Sequence, residues 1–456
     1  MHVTDKRIDT WHDGLSDLEA ARGRFLDSLD AIEDLARFAA EHVTKLDENR
    51  AIRGATFSAE PLGIKFMRSY AEAMTKAANE ADPDDLIHPM KILEDHLKEF
   101  KEHLGEAEAA DLDLLVKIER SRARTGMLLA SLLITAVSDF EVFFASVVAS
   151  FYRMRPEALR AQDPKISWSE VESYTSLDEL KTHFINERVD QIMWEGFDGW
   201  MRWLGNQFKV TYQDLALDPD STAEIFQRRH VIVHNGGFVS QQYLSKLSKS
   251  PPAAKAGDPL PVDIEYLQEA IRKLTALGIS LSYVMLRKLC PADSEQGALD
   301  KDISETVLML TRRREWKISY FTCSVLLPQM KHEYERCAVQ VNKWVSQKNL
   351  EGAGSINKEV SDWDSSALLP VFRLAQSVLL DDDLAITGQA KTLVEGSKSG
   401  KRLIDEWPVF EEIRGRRGEP EEIFPSKVHS LTEKDITAGA QQSNSASTPA
   451  SPPDQA

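Results

Sequence analysis

Cysteine is scarce in this chain, and several common motifs are missing from it. The three cysteines, Cys290, Cys323 and Cys337, are an odd number without Cys-x-x-Cys spacing, which argues against a disulfide framework and a structural zinc site. We expect reduced, buried thiols. Glycine-rich phosphate loops and a Gly-x-Ser-x-Gly nucleophile motif are also missing. The sequence therefore predicts no cofactor and no bound metal.

The chain also lacks an excess of positive charge. It has 55 lysines and arginines against 73 aspartates and glutamates, which gives a formal net charge of −18 at pH 7. Such a chain repels a phosphate backbone or an anionic membrane at long range, so any contact with nucleic acid must be local. The first residues lack the basic and apolar regions of a secretory signal. We therefore expect a cytoplasmic protein without a membrane partner.

One stretch, residues 126–152, is apolar and long enough to resemble a membrane span. Asp139 and Glu141 lie near its middle, where carboxylates are costly in lipid. We interpret the stretch as a buried helix of a soluble bundle.

The chain shows the pattern of an all-α protein. Apolar residues recur at three- and four-residue spacing almost throughout, and the alternating pattern of strands is scarce. Changes in composition predict four parts. Residues 1–115 are a helical hairpin or an N-terminal helical extension with coiled-coil character, and residues 116–293 are a central helical bundle. Residues 294–425 form a C-terminal helical domain with a faint likeness to helical repeats, and residues 426–456 are a disordered tail.

Two capping boxes mark the starts of helices in the centre. Ser176 and Glu179 open a helix that is predicted to continue through the tryptophan-rich residues 190–204. Ser221 and Glu224 are predicted to open a second helix, which stops at Asn235-Gly236-Gly237.

This second helix carries the stretch RRHVIVHNGG, residues 228–237. Arg229 lies on its apolar stripe, where a guanidinium is rarely buried without a partner, so we expect an ion pair with Asp139 or Glu141. Arg228 follows Glu224 by one turn, which predicts a surface ion pair. His234 lies in the last turn, where an imidazole also stabilises the free carbonyls of the helix end.

Arg229, His230 and His234 resemble the signature of the HEPN superfamily (higher eukaryotes and prokaryotes nucleotide-binding), an arginine, a polar residue, three variable residues and a histidine. The resemblance covers about residues 120–292. It implies a HEPN-like helical bundle at the centre of the all-α fold, with the motif late in the bundle. It also implies an acidic residue on an earlier helix near the arginine, a role for Glu141 or Asp139.

The resemblance implies a metal-independent endoribonuclease that acts as a homodimer. Arg229 and His234 lie about 140° apart on an ideal helix, so two copies are needed to bring both side chains to one groove. We expect Arg229 and His234 to be catalytic and His230 to orient the site or contact phosphate. Asn235 is a helix cap or a ligand, and Arg228 is an RNA contact. Toxin–antitoxin or antiviral-defence roles, a specific substrate such as a tRNA or ribosome-bound transcript, and a regulatory partner are also suggested.

A non-catalytic, all-helical RNA-binding or protein-interaction scaffold stays open as the alternative. The basic run Arg312–Lys317 either holds RNA or is a solvated helix face, and the tryptophans are expected in the core rather than as base-stacking platforms. His230 and His234 have the spacing of a zinc-binding pair. However, Val231 stands where a metalloprotease helix needs glutamate, and the sequence offers no evident third ligand.

Overall fold

The prediction of an all-α fold is confirmed within the part of the chain that the structure describes. In this computed structural model the described residues are 2–55, 60–80, 89–160, 165–215, 217–247, 254–290, 293–396 and 400–416. They form helices and connecting loops, and the only β-type pairing among them is an isolated bridge between Phe238 and Pro259. The tail predicted at residues 426–456 lies outside the described residues.

Nineteen α-helices are present in these ranges, with 3₁₀ turns at Leu327–Gln329, Ala353–Ser355 and Pro408–Phe410. The helices are α1 His2–Ala55, α2 Glu60–Glu80, α3 Pro89–Lys101, α4 Glu106–Met154, α5 Pro156–Arg160, α6 Trp168–Val171, α7 Leu177–Trp194, α8 Gly196–Phe208, α9 Pro219–His234, α10 Gln241–Lys246, α11 Ile264–Leu289, α12 Asp293–Arg312, α13 Trp316–Leu326, α14 Glu333–Glu351, α15 Asn357–Asp362, α16 Pro370–Leu379, α17 Asp383–Gly396, α18 Gly400–Glu406 and α19 Glu411–Arg416.

The described residues form two compact units. The first contains residues up to 213 and residues 217–278, and the second contains residues 214–215 and those from 279 onward. The boundary falls inside α11, between Gly278 and Ile279. The first unit includes the helix that carries the RRHVIVHNGG stretch, together with helices from the predicted N-terminal extension.

In the first unit, α1 packs along α4 in the antiparallel direction, because Asp17 meets Arg153 and Ser28 meets Asp139. Buried residues recur on both helices at three- and four-residue intervals, which is the seam of a coiled coil. On α1 they are Trp11, Gly14, Leu18, Ala21, Phe25, Leu29, Ile32, Ala36 and Ala39. On α4 they include Leu129, Leu133, Ala136, Phe140, Phe143, Val147, Ser150 and Met154. α1 therefore packs against α4 along a continuous stripe of buried residues.

Aromatic rings fill the space between α4 and the helices that follow it. The Phe140 ring lies 5.7 Å from Phe25 of α1, 6.4 Å from Trp200 of α8 and 5.6 Å from Phe226 of α9. Phe197 at the start of α8 stacks on Phe226 at 4.6 Å. These rings are buried, and they join α1, α8 and α9 to the same region of α4.

Within α4, Thr125–Met154 is long and apolar enough to cross a membrane, judged by length and composition, and half of its most apolar window is buried inside the structure. The helix of a buried core meets the same criterion. Both carboxylates near its middle have partners: Asp139 accepts a hydrogen bond from Ser28 Oγ, and Glu141 pairs with Arg229.

The prediction of one continuous helix from Ser176 through residue 204 is wrong, because two separate helices cover this stretch. Ser176 does cap α7, since its side chain accepts a hydrogen bond from the Glu179 amide at 3.1 Å. However, α7 ends at Trp194, and α8 begins at Gly196, whose φ is +65°. Glycine adopts this left-handed conformation without a Cβ penalty, so the chain changes direction here despite the unbroken apolar pattern.

The second unit has its own core, built from α14, α16 and α17 and the segments that follow them. A buried polar network runs through it. Ser346 Oγ donates to Ser319 Oγ at 2.9 Å, Ser319 Oγ also lies 3.1 Å from Thr311 Oγ1, and Trp407 Nε1 donates to Asn342 Oδ1 at 2.8 Å. Satisfied buried polar groups of this kind fix one arrangement of packed helices.

Phe25→Ala is expected to lower the free energy of unfolding of the first unit by about 3–5 kcal/mol, because it removes a buried ring from the α1–α4 seam. Phe38→Ala, on the same helix at an exposed position, is the matched control and is expected to cost far less. Urea unfolding followed by circular dichroism measures both. Equal losses for the two variants would contradict the packing of α1 on α4.

Candidate active site

The start of α9 differs from the predicted one. The N-cap is Asp218, whose carboxylate accepts a hydrogen bond from the Ser221 amide at 3.2 Å, and Pro219 occupies the first turn. The predicted capping box at Ser221 and Glu224 is therefore wrong. Asp218 with Pro219 is the stronger start signal, because the carboxylate satisfies a free amide and proline needs no hydrogen-bond acceptor there.

The end of α9 is where the sequence predicts it. The helix ends at His234, and the amides of Asn235 and Gly237 both donate to the Val231 carbonyl, at 2.8 and 3.2 Å. Gly236 and Gly237 have φ values of +61° and +82°, which favour glycine. Asn235 thus takes part in the helix stop through its backbone. His230 and His234 lie in the last two turns before it.

Arg229 forms the expected ion pair with α4, and its partner is Glu141. Its Nη2 donates to Glu141 Oε1, and the two side chains are 23% and 29% exposed. Asp139, the other candidate, instead accepts a hydrogen bond of 2.5 Å from Ser28 Oγ. The Nε of Arg229 is buried and has no hydrogen-bond partner in the described part of the chain. The guanidinium therefore has one edge held by Glu141 and donors still to be satisfied.

His230 and His234 lie side by side at the end of α9. Their ring centroids are 4.6 Å apart, with the planes tilted by 47°. Burial, followed by the nearby His234 and Arg229, lowers the pKa of His230 below its ordinary value, so its neutral form is favoured at neutral pH. His234 is exposed at the helix terminus. The motif thus presents two neighbouring imidazoles beside the Arg229–Glu141 pair.

Arg228 forms the predicted ion pair with Glu224, but the prediction that this pair lies on the surface is wrong, because both side chains lie in an internal cluster. Arg228 Nε donates to Glu224 Oε1 at 2.6 Å, but these side chains are only 12% and 14% exposed. Arg228 Nη1 also donates to the Pro261 carbonyl at 2.6 Å, and its guanidinium lies 3.8 Å from the centre of the Tyr266 ring. These contacts occupy Arg228 within the fold, away from the RNA-contact role that we expected.

Two tyrosines complete this cluster around Glu224. Tyr266 and Tyr243 donate from their hydroxyls to the Glu224 carboxylate at 2.5 and 2.9 Å. Burial first, and then the negative charge of Glu224, raises the pKa of both tyrosines. Both hydroxyls therefore stay protonated and act as donors. The cluster attaches α10 and the start of α11 to α9.

Local sequence patterns did not identify either tyrosine, because each reaches Glu224 from a separate segment of the chain. The exposed Trp194 was also missed. Its side chain is 91% exposed at the end of α7, whereas Trp200 and Trp203 lie in the core, as expected for the tryptophans. Its position just before the helix break at Gly196 was the sequence signal for this exposure, because packing often leaves a side chain at a helix end uncovered.

The basic run Arg312–Lys317 belongs to the second unit. Arg312 pairs with Glu406 at 3.2 Å, and Arg314 pairs with Glu411. These partners favour the interpretation of the run as a helix end held by ion pairs over that of an RNA-binding patch.

The second unit also contains a pocket of about 240 Å³, partly lined by Asp381 and Glu412. Lys348 Nζ lies 3.6 Å from Asp381 and 3.2 Å from Glu412. The pocket therefore borders a charge cluster of the fold, and no residue of the RRHVIVHNGG stretch lines it.

Comparisons with protein-family models, with curated proteins and with solved structures give no match for this chain. The resemblance to the HEPN superfamily therefore rests on the motif residues themselves. Among the described residues, no group of three or more histidine, cysteine, aspartate or glutamate side chains is placed to hold a metal ion.

We expect the His230 imidazole to titrate below its ordinary pKa of 6.5. Burial is the largest cause of the lowered pKa of His230. The His234→Asn variant removes only the second cause, the neighbouring His234 ring, so it should raise the His230 midpoint only in part. Histidine ring resonances followed by NMR across the pH range measure both midpoints. A His230 midpoint at or above 6.5 in the wild-type chain would contradict the burial of this ring beside His234 and Arg229.

Tyr266→Phe should lower the free energy of unfolding of the first unit by about 1.5–3 kcal/mol, because Glu224 loses a buried donor to a charged group. Tyr212→Phe is the matched control. It lies in the same unit, and its hydroxyl has no hydrogen-bond partner among the described residues. Chemical denaturation of both variants gives the comparison, and a loss no greater than that of the control would show that the cluster contributes little.

Proposed function

We propose that this chain is a metal-independent endoribonuclease of the HEPN type that acts as a homodimer on a specific RNA. The observation that carries the proposal is the Arg229–Glu141 ion pair beside the partly buried imidazole of His230 and the exposed imidazole of His234. Arginine has five N–H donors in a planar fork, and the Glu141 bond uses one of them. Glu141 thus orients a guanidinium whose other donors suit a phosphate.

The reaction in this proposal begins at the 2′-hydroxyl of the RNA. The imidazole of His234 accepts the hydroxyl proton as the 2′-oxygen attacks the adjacent phosphorus, and the bond from phosphorus to the 5′-oxygen breaks. His234 of the partner subunit gives a proton to that leaving oxygen. Arg229 stabilises the negative charge that collects on the non-bridging oxygens. The products are a 2′,3′-cyclic phosphate and a 5′-hydroxyl end, and DNA resists cleavage because it lacks the attacking group.

A second copy of the chain supplies what one helix cannot, because Arg229 and His234 point in directions about 140° apart on an ideal helix. Two exposed apolar side chains lie next to the site in sequence and support self-association here. Val142 follows Glu141 and is 68% exposed, and Val233 precedes His234 and is 48% exposed. Across a twofold axis, the two motif helices would line one groove.

The net charge of −18 supports a selective substrate. Long-range repulsion disfavours indiscriminate binding to RNA, so recognition depends on close contacts with a particular molecule, such as a tRNA or a ribosome-bound transcript. Uncontrolled cleavage would harm the host cell. We therefore place the enzyme in a toxin–antitoxin or antiviral-defence role, held inactive by a regulatory partner until it is needed.

Labelled RNA incubated with the purified chain in EDTA tests the activity. His234→Ala and Arg229→Ala are each expected to reduce the cleavage rate by about 10²–10⁴-fold, because they remove the proton-transfer group and the phosphate-stabilising group. His183→Ala is the matched control, since His183 is exposed on α7 of the same unit and lies outside the motif. Substrates with a single deoxyribose at the cleaved position should stay intact.

Two outcomes would reject the proposed enzyme in favour of a non-catalytic helical scaffold. One is cleavage that persists at the wild-type rate in both variants, which assigns the activity to a contaminant or to other residues. The other is a complete lack of cleavage across cellular RNA pools while dimerisation and RNA binding stay intact.

A further inference from the structure

The pocket in the second unit has the size of a single side chain. It is lined by the end of α16, the start of α17 and α19, and its volume is about 240 Å³. Pockets that hold a small-molecule ligand measure about 300–1,000 Å³, so this one is too small for most substrates and cofactors. Val378, Ile386 and Ile413 form its buried, aliphatic part. A side chain with an apolar stem can therefore be covered here.

The charged lining of the pocket is acidic. Asp381, Asp383 and Glu412 line it, and no basic residue of the described chain does. Lys348 lies at its border, with Nζ 3.6 Å from Asp381 and 3.2 Å from Glu412. Three carboxylates against one ammonium leave an excess of two negative charges among these groups. The pocket therefore repels phosphate and attracts a cation.

The helix ends at the pocket leave this preference unchanged. α16 ends at Leu379, and its terminal carbonyls carry partial negative charge, whereas the amides at the start of α17 carry partial positive charge. The two contributions oppose each other. The Asp382 carboxylate also accepts a hydrogen bond of 3.1 Å from the Ala385 amide, which satisfies one donor of α17. The carboxylates that line the pocket therefore determine the sign of its charge.

An exposed leucine lies next to the acidic lining. Leu384 follows Asp383 in the first turn of α17, and its side chain is 92% exposed. A single exposed leucine is common on protein surfaces. Its position beside the pocket, however, offers an apolar contact next to a charged one. Protein interfaces combine these two kinds of contact, and arginine is enriched in them.

We propose that this pocket binds an arginine side chain of a basic partner protein, with an apolar neighbour of that arginine packed on Leu384. Arginine fits the lining because its stem is aliphatic and its guanidinium presents a planar fork of donors that matches carboxylates. The net charge of −18 favours association with a partner of positive charge. The second unit is then an interaction module, and this role does not depend on the endoribonuclease activity.

NMR of the full chain with labelled isoleucine methyl groups tests the binding, because Ile386 and Ile413 lie in the pocket. The probe is a hexapeptide of serines with one arginine and one leucine side by side at its centre. At millimolar concentration it should shift both methyl resonances until they saturate. The same peptide with citrulline in place of arginine keeps the shape and loses the charge, so it should bind about tenfold more weakly. A lysine peptide should bind more weakly than the arginine peptide.

Variants of the chain locate the contact. Asp383→Asn and Leu384→Ala should each weaken the binding of the arginine peptide about threefold, because both positions are open to solvent. Asp362→Asn and Leu369→Ala are the matched controls, at exposed positions of the same unit outside the pocket, and should bind as the wild type does. Circular dichroism confirms that the variants are folded.

Three outcomes would overturn the proposal. The first is no shift of either methyl resonance at millimolar peptide, and the second is equal binding of the arginine and citrulline peptides. The third is a shift of both resonances when the chain alone is concentrated, which would assign the pocket to a second copy. Asp383→Asn should cleave RNA at the wild-type rate, so a failure of this proposal and a failure of the endoribonuclease proposal are distinguishable.

Discussion

The packing of Phe140 is the constraint on which the first unit and its candidate site depend. Its ring meets Phe25, Trp200 and Phe226, which come from three different helices. Protein interiors are packed as densely as organic crystals, so these contacts leave little freedom for α4 to slide or rotate. The residue that follows Phe140 is Glu141. The aromatic packing therefore determines where the Glu141 carboxylate meets α9, and with it the position of the Arg229 guanidinium.

An ion pair in such a position is weak evidence for stability. The Arg229 and Glu141 side chains are mostly buried, and removing two charges from water costs free energy that their attraction only partly returns. The buried Nε of Arg229, which has no hydrogen-bond partner among the described residues, adds to this cost. A hydrophobic pair could fill the same space more cheaply. Fold specificity is one explanation of the arrangement, and the proposed function supplies another, a guanidinium oriented beside the imidazoles.

Some features encoded within a few residues were predictable, although the starts of α8 and α9 were missed, and features that depend on distant segments were not predictable. The all-α fold and the glycine stop after His234 follow from spacing and backbone conformation, and both are confirmed. The sequence could not show whether Asp139 or Glu141 pairs with Arg229. Residues two apart on a helix face nearly opposite directions, and only packing decides which of them meets α9. The burial of Arg228 was missed for the same reason, since Tyr243 and Tyr266 reach its cluster from later segments.

The two sides of α9 serve different purposes. One side is attached to later segments by buried contacts, and the other carries the two imidazoles. On one side, the Arg228–Glu224 cluster joins the helix to α10 and α11 through buried, charge-assisted hydrogen bonds. On the other, His230 and His234 stand near solvent without hydrogen bonds in the described part of the chain. A group that acts on a bound phosphate needs a fixed position as well as an unoccupied lone pair. Rigid attachment on the buried side provides the fixed position, and exposure on the other side leaves the lone pair unoccupied. A mutation in the Arg228–Glu224 cluster should therefore disturb the positions of the imidazoles through α9, although the cluster contacts neither ring.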